Sequence, residues 1–288
     1  MGWPKAASSQ LWVGLHMLRR TLLSLLALLS LVSTTWAGSS HHAIIHNTEG
    51  FSLHKDTWVM PGSIANEYNE DQSEVVFQIS VKQQLGNTGF YAAYTQKSFW
   101  QAYNTKESSP FRETNYNPEI FYRIMPANAL ARFLGNGPII GKLGADIGFE
   151  HESNGRSMPE SRSWNRAYFS PFYLGDNLLL SLKFWCITPD SQKSSKDGVR
   201  DSDNPDIADF MGYGEFNAQY QFAHDQLLHL MVRGTPGRSK GAVSLTWSIP
   251  ITRGGLFFMV RGFHGYGESL IDYNRSISRI GAGFMLSR

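Results

Sequence analysis

A single cysteine, Cys186, occurs in 288 residues, so no internal disulfide is available and no bridge framework staples the fold. The chain also lacks an excess of charge of either sign. Its 26 Lys and Arg face 24 Asp and Glu, a net of +2, which gives nucleic acid no electrostatic reason to bind. Past residue 37 there is no continuous apolar run long enough to cross a bilayer as a helix. What is present suits many strands and turns: 27 glycines, 13% aromatic residues and 42% hydrophobic residues, enough for one sizeable domain.

The amino terminus, residues 1–37, reads as an export signal. Arg19 and Arg20 precede the apolar run Leu22 to Val32, and Thr35-Trp36-Ala37 offers a cleavage site with small residues at both key positions. Met17 is an alternative start. A membrane span in the exported chain must then be built of strands. Residues 38–73 read as a polar, irregular segment carrying His41, His42, His46 and His54. Their spacing fits no metal site, and a solvated leader is the expectation.

From Glu74 to Arg288 the pattern becomes short alternating segments separated by turns. Strands are expected at roughly 75–84, 90–103, 115–125, 129–134, 142–153, 164–174, 178–187, 210–222, 227–233, 241–249, 256–263 and 278–286. Phe210, Gly212, Gly214, Phe216, Ala218, Tyr220 and Phe222 alternate with Tyr213, Glu215, Asn217, Gln219 and Gln221. One apolar and one polar face predict an all-β fold, a transmembrane antiparallel β-barrel of about twelve strands with lipid outside. Asp146, Glu150, Arg166, Lys183 and Glu215 fall on the inward face, as interlocked charges filling a narrow lumen. Trp58, Trp100, Tyr173 and Trp247 are read as an interfacial girdle. Connections at 175–176, 223–226 and 250–255 are short, and those at 155–163, 188–209 and 265–277 are long, as inner turns and outer loops should be.

One stretch stands apart. Over Leu143 to Ser153, Ala145, Ile147, Phe149, His151 and Ser153 share a face, so His151 and Ser153 emerge together on the apolar, lipid-facing side. Bare polar groups facing hydrocarbon are costly. A serine hydroxyl becomes nucleophilic when an imidazole stands ready to take its proton, and the imidazole needs a third group to hold its tautomer. Asn165 begins the next strand with outward parity, where an antiparallel partner brings it to His151. A His-x-Ser pair on a strand is by itself commonplace, and the longer string carries more.

HxSNGRSxPxSRSWNR, here His151 to Arg166, resembles the signature of the outer-membrane phospholipase A family. The resemblance continues in Ser108-Ser109-Pro110-Phe111-Arg112-Glu113-Thr114-Asn115-Tyr116, in Asp203-Asn204-Pro205-Asp206-Ile207 and over Gly265 to Asn274. It implies a calcium-dependent carboxylic ester hydrolase of the Gram-negative outer membrane. Such an enzyme cleaves sn-1 and sn-2 acyl esters of phospholipids and lysophospholipids (phospholipase A1, A2 and lysophospholipase activity), is switched on by reversible homodimerisation and has its site toward the outer leaflet. It implies Ser153 as nucleophile, His151 as base, Asn165 as its orienting partner and the Gly155 amide as an oxyanion donor. It implies Ca2+ held by Ser108 of one subunit with the Arg156 carbonyl and Ser161 of the other. Phe111 and Tyr116 would line the acyl cleft, and Gln96 would lie at the dimer interface.

Two places depart from the family pattern. Thr188–Ser202 is longer and more polar, and the chain finishes Phe284-Met285-Leu286-Ser287-Arg288 where the family ends on an aromatic residue. The run Asp201 to Asp206 fails as an EF-hand, because Pro205 takes the fifth position, the sixth is not glycine and Gly212 stands where the last Glu belongs. The rival classes are a non-catalytic barrel, porin or structural, and a soluble secreted β-sandwich hydrolase.

Overall fold

Alternation of apolar and polar side chains with a period of two gives strands, and among the described residues every strand pairing is antiparallel. The computed structural model describes residues 50–66, 73–125, 142–188, 203–237, 239–252 and 255–287. Its strands are β1 (Phe51–Leu53), β2 (Thr57–Ala65), β3 (Val75–Gln84), β4 (Phe90–Trp100), β5 (Phe111–Ile124), β6 (Leu143–Ser153) and β7 (Ser163–Leu174). They continue as β8 (Leu178–Thr188), β9 (Gly214–Gln221), β10 (Leu227–Gly234), β11 (Gly241–Pro250), β12 (Phe257–Tyr266) and β13 (Ser276–Ser287). From β2 to β13 each strand pairs with the next, and β13 pairs back onto β2 to close the ring. β1 and β2 lie along the same edge of β3, so they count as one interrupted strand and the barrel has twelve.

Closure corrects the expectation for residues 38–73. The segment is not irregular throughout: β2 is the closing strand, and His54 is buried, its Nε2 2.9 Å from Glu119 Oε1. A bulge hides the alternation. Val59 faces out opposite Phe284 and Gly62 faces out opposite Ala282, so Met60-Pro61 inserts one extra residue against Gly283 and reverses the parity. The same bulge turns Trp58 inward, into a buried cluster with Met60, Val76, Phe99, Met259 and Met285, so Trp58 is not part of an interfacial girdle. His41, His42, His46 and the expected strand at 129–134 lie outside the described residues, as do residues 189–202.

The outer face is apolar and exposed, with Ile79, Ile120, Ile147, Phe149, Phe169, Leu182, Phe184, Leu245 and Ile280. The inner face is polar and packed. Glu150 pairs with Lys183 at 2.9 Å and Arg166 at 3.2 Å, and Arg123 with Asp146 at 2.7 Å. Tyr168 donates to Glu119 at 2.9 Å, and the cavity left among these groups measures about 290 Å³. An inner face so interlocked suits a filled barrel better than a pore.

The mouth at the long-loop end is capped. A strand expected over 210–222 begins only at Gly214; before it, Ile207–Met211 forms a short helix, α1. Ile207 and Met211 from α1, with Leu270 and Tyr273 from the β12–β13 turn, are buried against Trp164, Tyr168 and Trp185. The Tyr273 hydroxyl, pushed up to about 12 by burial and by its bond to Asp206, remains a donor that ties the turn to α1.

Candidate active site

Strand β6 places its charges and its apolar groups on opposite faces. Glu150 is 1% exposed inside the barrel, while Ile147 and Phe149 are about half exposed outside. By the same alternation His151 and Ser153 stand on the outer face, two residues apart. The β6–β7 register sets Asn165 directly opposite His151, and His151 Nδ1 lies 2.7 Å from Asn165 Oδ1. A carboxamide oxygen only accepts, so this contact puts the imidazole proton on Nδ1 and leaves Nε2 with its lone pair, the form of a base.

Barrel register brings distant residues into the same row. Gln96 pairs with Tyr116, Tyr116 with Ser153, and Ser153 with Ser163, each step one strand spacing of about 4.8 Å. Further toward the long-loop end, Phe111 stacks on Trp100 with centroids 5.6 Å apart and meets Phe77 edge-on at 6.2 Å, an apolar wall on the same outer surface. Gly155, two residues past Ser153, has φ +66°, a left-handed conformation, and a Cβ there would lie 3.2 Å from Tyr116 Cε2. A side chain there would meet strain at the turn and crowding against Tyr116.

The loop after β6 is held by residues that sequence reasoning passed over. Asn154 is 5% exposed; its Oδ1 accepts from Arg162 N at 2.9 Å and Arg156 N at 3.3 Å, and its Nδ2 donates to Glu160 O at 2.9 Å. Asn204 Oδ1, from the segment before α1, accepts from Ser163 N at 2.9 Å. The Arg156 side chain reaches Glu113 at 3.3 Å and also bonds Glu160 and the Arg112 carbonyl. Asn154 and Asn204 sit inside the motifs quoted above, but a buried asparagine that braces a loop looks like any other asparagine in a string.

Ser161 Oγ donates to the Asp203 carboxylate, while Ser108 lies on the separate β4–β5 connection with φ 59°. No hydrogen bond joins Ser108 to Arg156 or Ser161 within one chain among the described residues. Nor do three His, Cys, Asp or Glu side chains gather there as a metal cluster among those residues. What the loop offers is oxygen alone: the Ser161 hydroxyl, backed by Asp203, and main-chain carbonyls. That donor set suits a hard cation such as Ca2+ and does not suit zinc or copper.

Residues 45–286 match the model of the phospholipase A1 family. A putative phospholipase A1 of Neisseria meningitidis serogroup B is 41% identical over 225 residues, 76% of this chain and 56% of that protein. The chain thus spans little more than half of that relative's length. The phospholipase A1 of Escherichia coli K12 is 36% identical over 225 residues, 76% of this chain and 71% of that one. Among solved structures, the outer-membrane phospholipase A of E. coli superimposes with a TM-score of 0.69 at 31% identity, covering 82% of this chain and 98% of that one. The outer-membrane phospholipase of Salmonella typhi, solved as a dimer with bound calcium, gives 0.68 at 33% identity over 84% and 94%. An E. coli structure altered from Asn to Ala in its active site gives 0.69 at 30% identity over 86% and 95%.

Proposed function

The chain belongs to the phospholipase A1 family and is an outer-membrane β-barrel protein of Gram-negative type; from that premise we propose that it hydrolyses acyl esters of membrane phospholipids with Ser153, His151 and Asn165. The observation that carries this reading is the 2.7 Å contact of His151 Nδ1 with Asn165 Oδ1 on the lipid-facing surface, with Ser153 two residues along the same face. Ser153 Oγ attacks the ester carbonyl carbon while His151 Nε2 takes its proton; the proton then passes to the departing glycerol oxygen, and the C–O bond breaks. Water enters by the same base and releases the fatty acid from Ser153. Asn165 keeps the imidazole in the Nδ1–H tautomer throughout, as an active-site asparagine in the E. coli relative suggests.

The N–H of Gly155, in its left-handed turn, is the proposed donor to the oxyanion. Phe111 and Tyr116 line the acyl chain's path along the barrel wall, and Gln96 extends the same row toward a second copy. Ca2+ would be held by the Arg156 carbonyl and Ser161 with Ser108 of a second copy. When bound it supplies electrostatic stabilisation of the negative charge developing on the ester oxygen. The calcium-bound dimer of the Salmonella relative supports this assignment. The sn-1 and sn-2 esters of phospholipids, and lysophospholipids, are all proposed substrates of this lipid-facing site. In this reading the site, at the long-loop end, faces the outer leaflet. A reversible dimer would keep it silent until two barrels meet, which protects a membrane that is also the substrate.

The test is fatty-acid release from phospholipid in detergent micelles by refolded protein, with calcium or with chelator, beside Ser153→Ala. Calcium-dependent release abolished in the variant is the expected result. No release from a folded, dimeric barrel would overturn the proposal in favour of a non-catalytic barrel. Full activity in crosslink-verified monomer would overturn the gating alone.

A further inference from the structure

Resting on His151 as the base, we infer that Asn117 is a positioning residue for it, supplying from inside the barrel the ladder hydrogen bond that Pro118 cannot make. The β5–β6 register runs from Tyr116 opposite Ser153 to Glu119 opposite Glu150, which sets Pro118 against His151. Pairing of β4 with β5 is unbroken through Tyr94 and Pro118, whereas pairing of β5 with β6 lapses between Tyr116 and Glu119. The missing N–H therefore falls on the β6 side, where an ordinary residue would donate to the His151 carbonyl.

Asn117 Nδ2 donates to that carbonyl at 2.8 Å. Its Oδ1 accepts from Lys55 Nζ at 3.2 Å, and Lys55 also pairs with Glu119 at 2.7 Å. The two contacts fix the carboxamide's orientation, oxygen to the ammonium and nitrogen to the carbonyl. His151 is thus held on two sides, its ring by Asn165 from β7 and its main chain by Asn117 from β5. Without Asn117 the His151 carbonyl loses its fixed partner in the sheet. Strand β6 would then shift locally, and the imidazole with it; small misplacements of a reacting group are costly. Asn117 touches no substrate and acts only through His151.

The experiment compares the parent with Asn117→Asp, Asn117→Ala, Pro118→Ala and Asn117→Ala combined with Pro118→Ala. Folding of each barrel is checked by its heat-dependent shift in electrophoretic mobility. Asn117→Asp keeps an oxygen for Lys55 and replaces the donor with a second, charged acceptor, so it carries the test should Asn117→Ala fail to fold. Both single Asn117 variants are expected to lose about fivefold in kcat with KM unchanged, the scale of one hydrogen bond. The double variant is expected to recover kcat to within about twofold, because residue 118 regains its N–H. Pro118→Ala alone should match the parent. Parental kcat in a folded Asn117 variant, a loss that the double variant does not restore, or a defect in Pro118→Ala would overturn the inference alone. A folded parent without hydrolysis would bring down the underlying function as well.

Discussion

Among the described residues two histidines stand on the outer face of this barrel, and their partners differ in kind. His151 Nδ1 meets the Asn165 carbonyl oxygen at 2.7 Å; His264 Nδ1 meets the Ser278 hydroxyl at the same 2.7 Å. A carbonyl oxygen accepts and does nothing else, so it dictates the tautomer. A hydroxyl donates or accepts, so it dictates nothing. Around Ser278 the polar groups serve the backbone: its N–H donates to Asn66 Oδ1 at 2.8 Å and its C=O accepts from Asn66 N at 3.1 Å. Around His151, Asn154 and Asn204 also hold backbone groups, but those of the loop that follows the His-x-Ser pair. The comparison teaches that a serine beside a histidine is not by itself a catalytic site; under the proposed chemistry a fixed tautomer and a braced loop set His151 apart.

The comparison breaks most sharply at the two serines. Under the proposed chemistry Ser153→Ala removes the nucleophile, and fatty-acid release should fall by about 10⁴-fold or more. Were the His264–Ser278 pair a second hydrolase, a residue of calcium-dependent activity would survive in Ser153→Ala and vanish on adding Ser278→Ala. Comparing the two variants on the same micelles measures this directly.

Much of this was legible in the chain, and what was not has identifiable physical causes. Outward parity for His151, Ser153 and Asn165 follows from alternation alone, and β6 and β7 obey it without interruption. The closing strand escaped because the extra residue at Met60-Pro61 reverses the parity within nine residues. Phe210 to Gly212 continued the alternation of β9 on paper yet folds as α1 and its exit, because Ile207 and Met211 bury into the barrel mouth instead of the wall. The row Gln96, Tyr116, Ser153 depends on register between strands, which no pattern within one strand encodes. The brace from Asn117 needed the register and the gap at Pro118 together.

Asn165 sharpens the comparison at the next level. Asn165→Ala leaves the imidazole tautomer as free as that of His264 and is expected to lower kcat by about 10- to 100-fold. Asn165→Asp, which accepts the same proton, should retain most of it. Equal losses in both variants would show that the carboxamide acts through something other than its acceptor. Gly155→Ala comes next. A Cβ at φ +66° meets strain and sits 3.2 Å from Tyr116, so kcat should fall by about tenfold while the barrel still folds.

The smallest effect is expected at the other histidine. His264 and Ser278 lie in the β12–β13 pair, on strands far around the ring from β6 and β7, and no contact among the described residues links them to Ser153. His264→Ala removes a polar ring from an exposed position without opening a cavity or orphaning a buried group, since the Ser278 backbone remains held by Asn66. Hydrolysis should therefore stay within about twofold of the parent and the thermal midpoint within a few degrees, as surface substitutions usually do. A tenfold loss in kcat would mean that this face communicates with the triad. Because Asn66 and Ser278 tie β2 to β13, the barrel's closing seam would then be the path to examine.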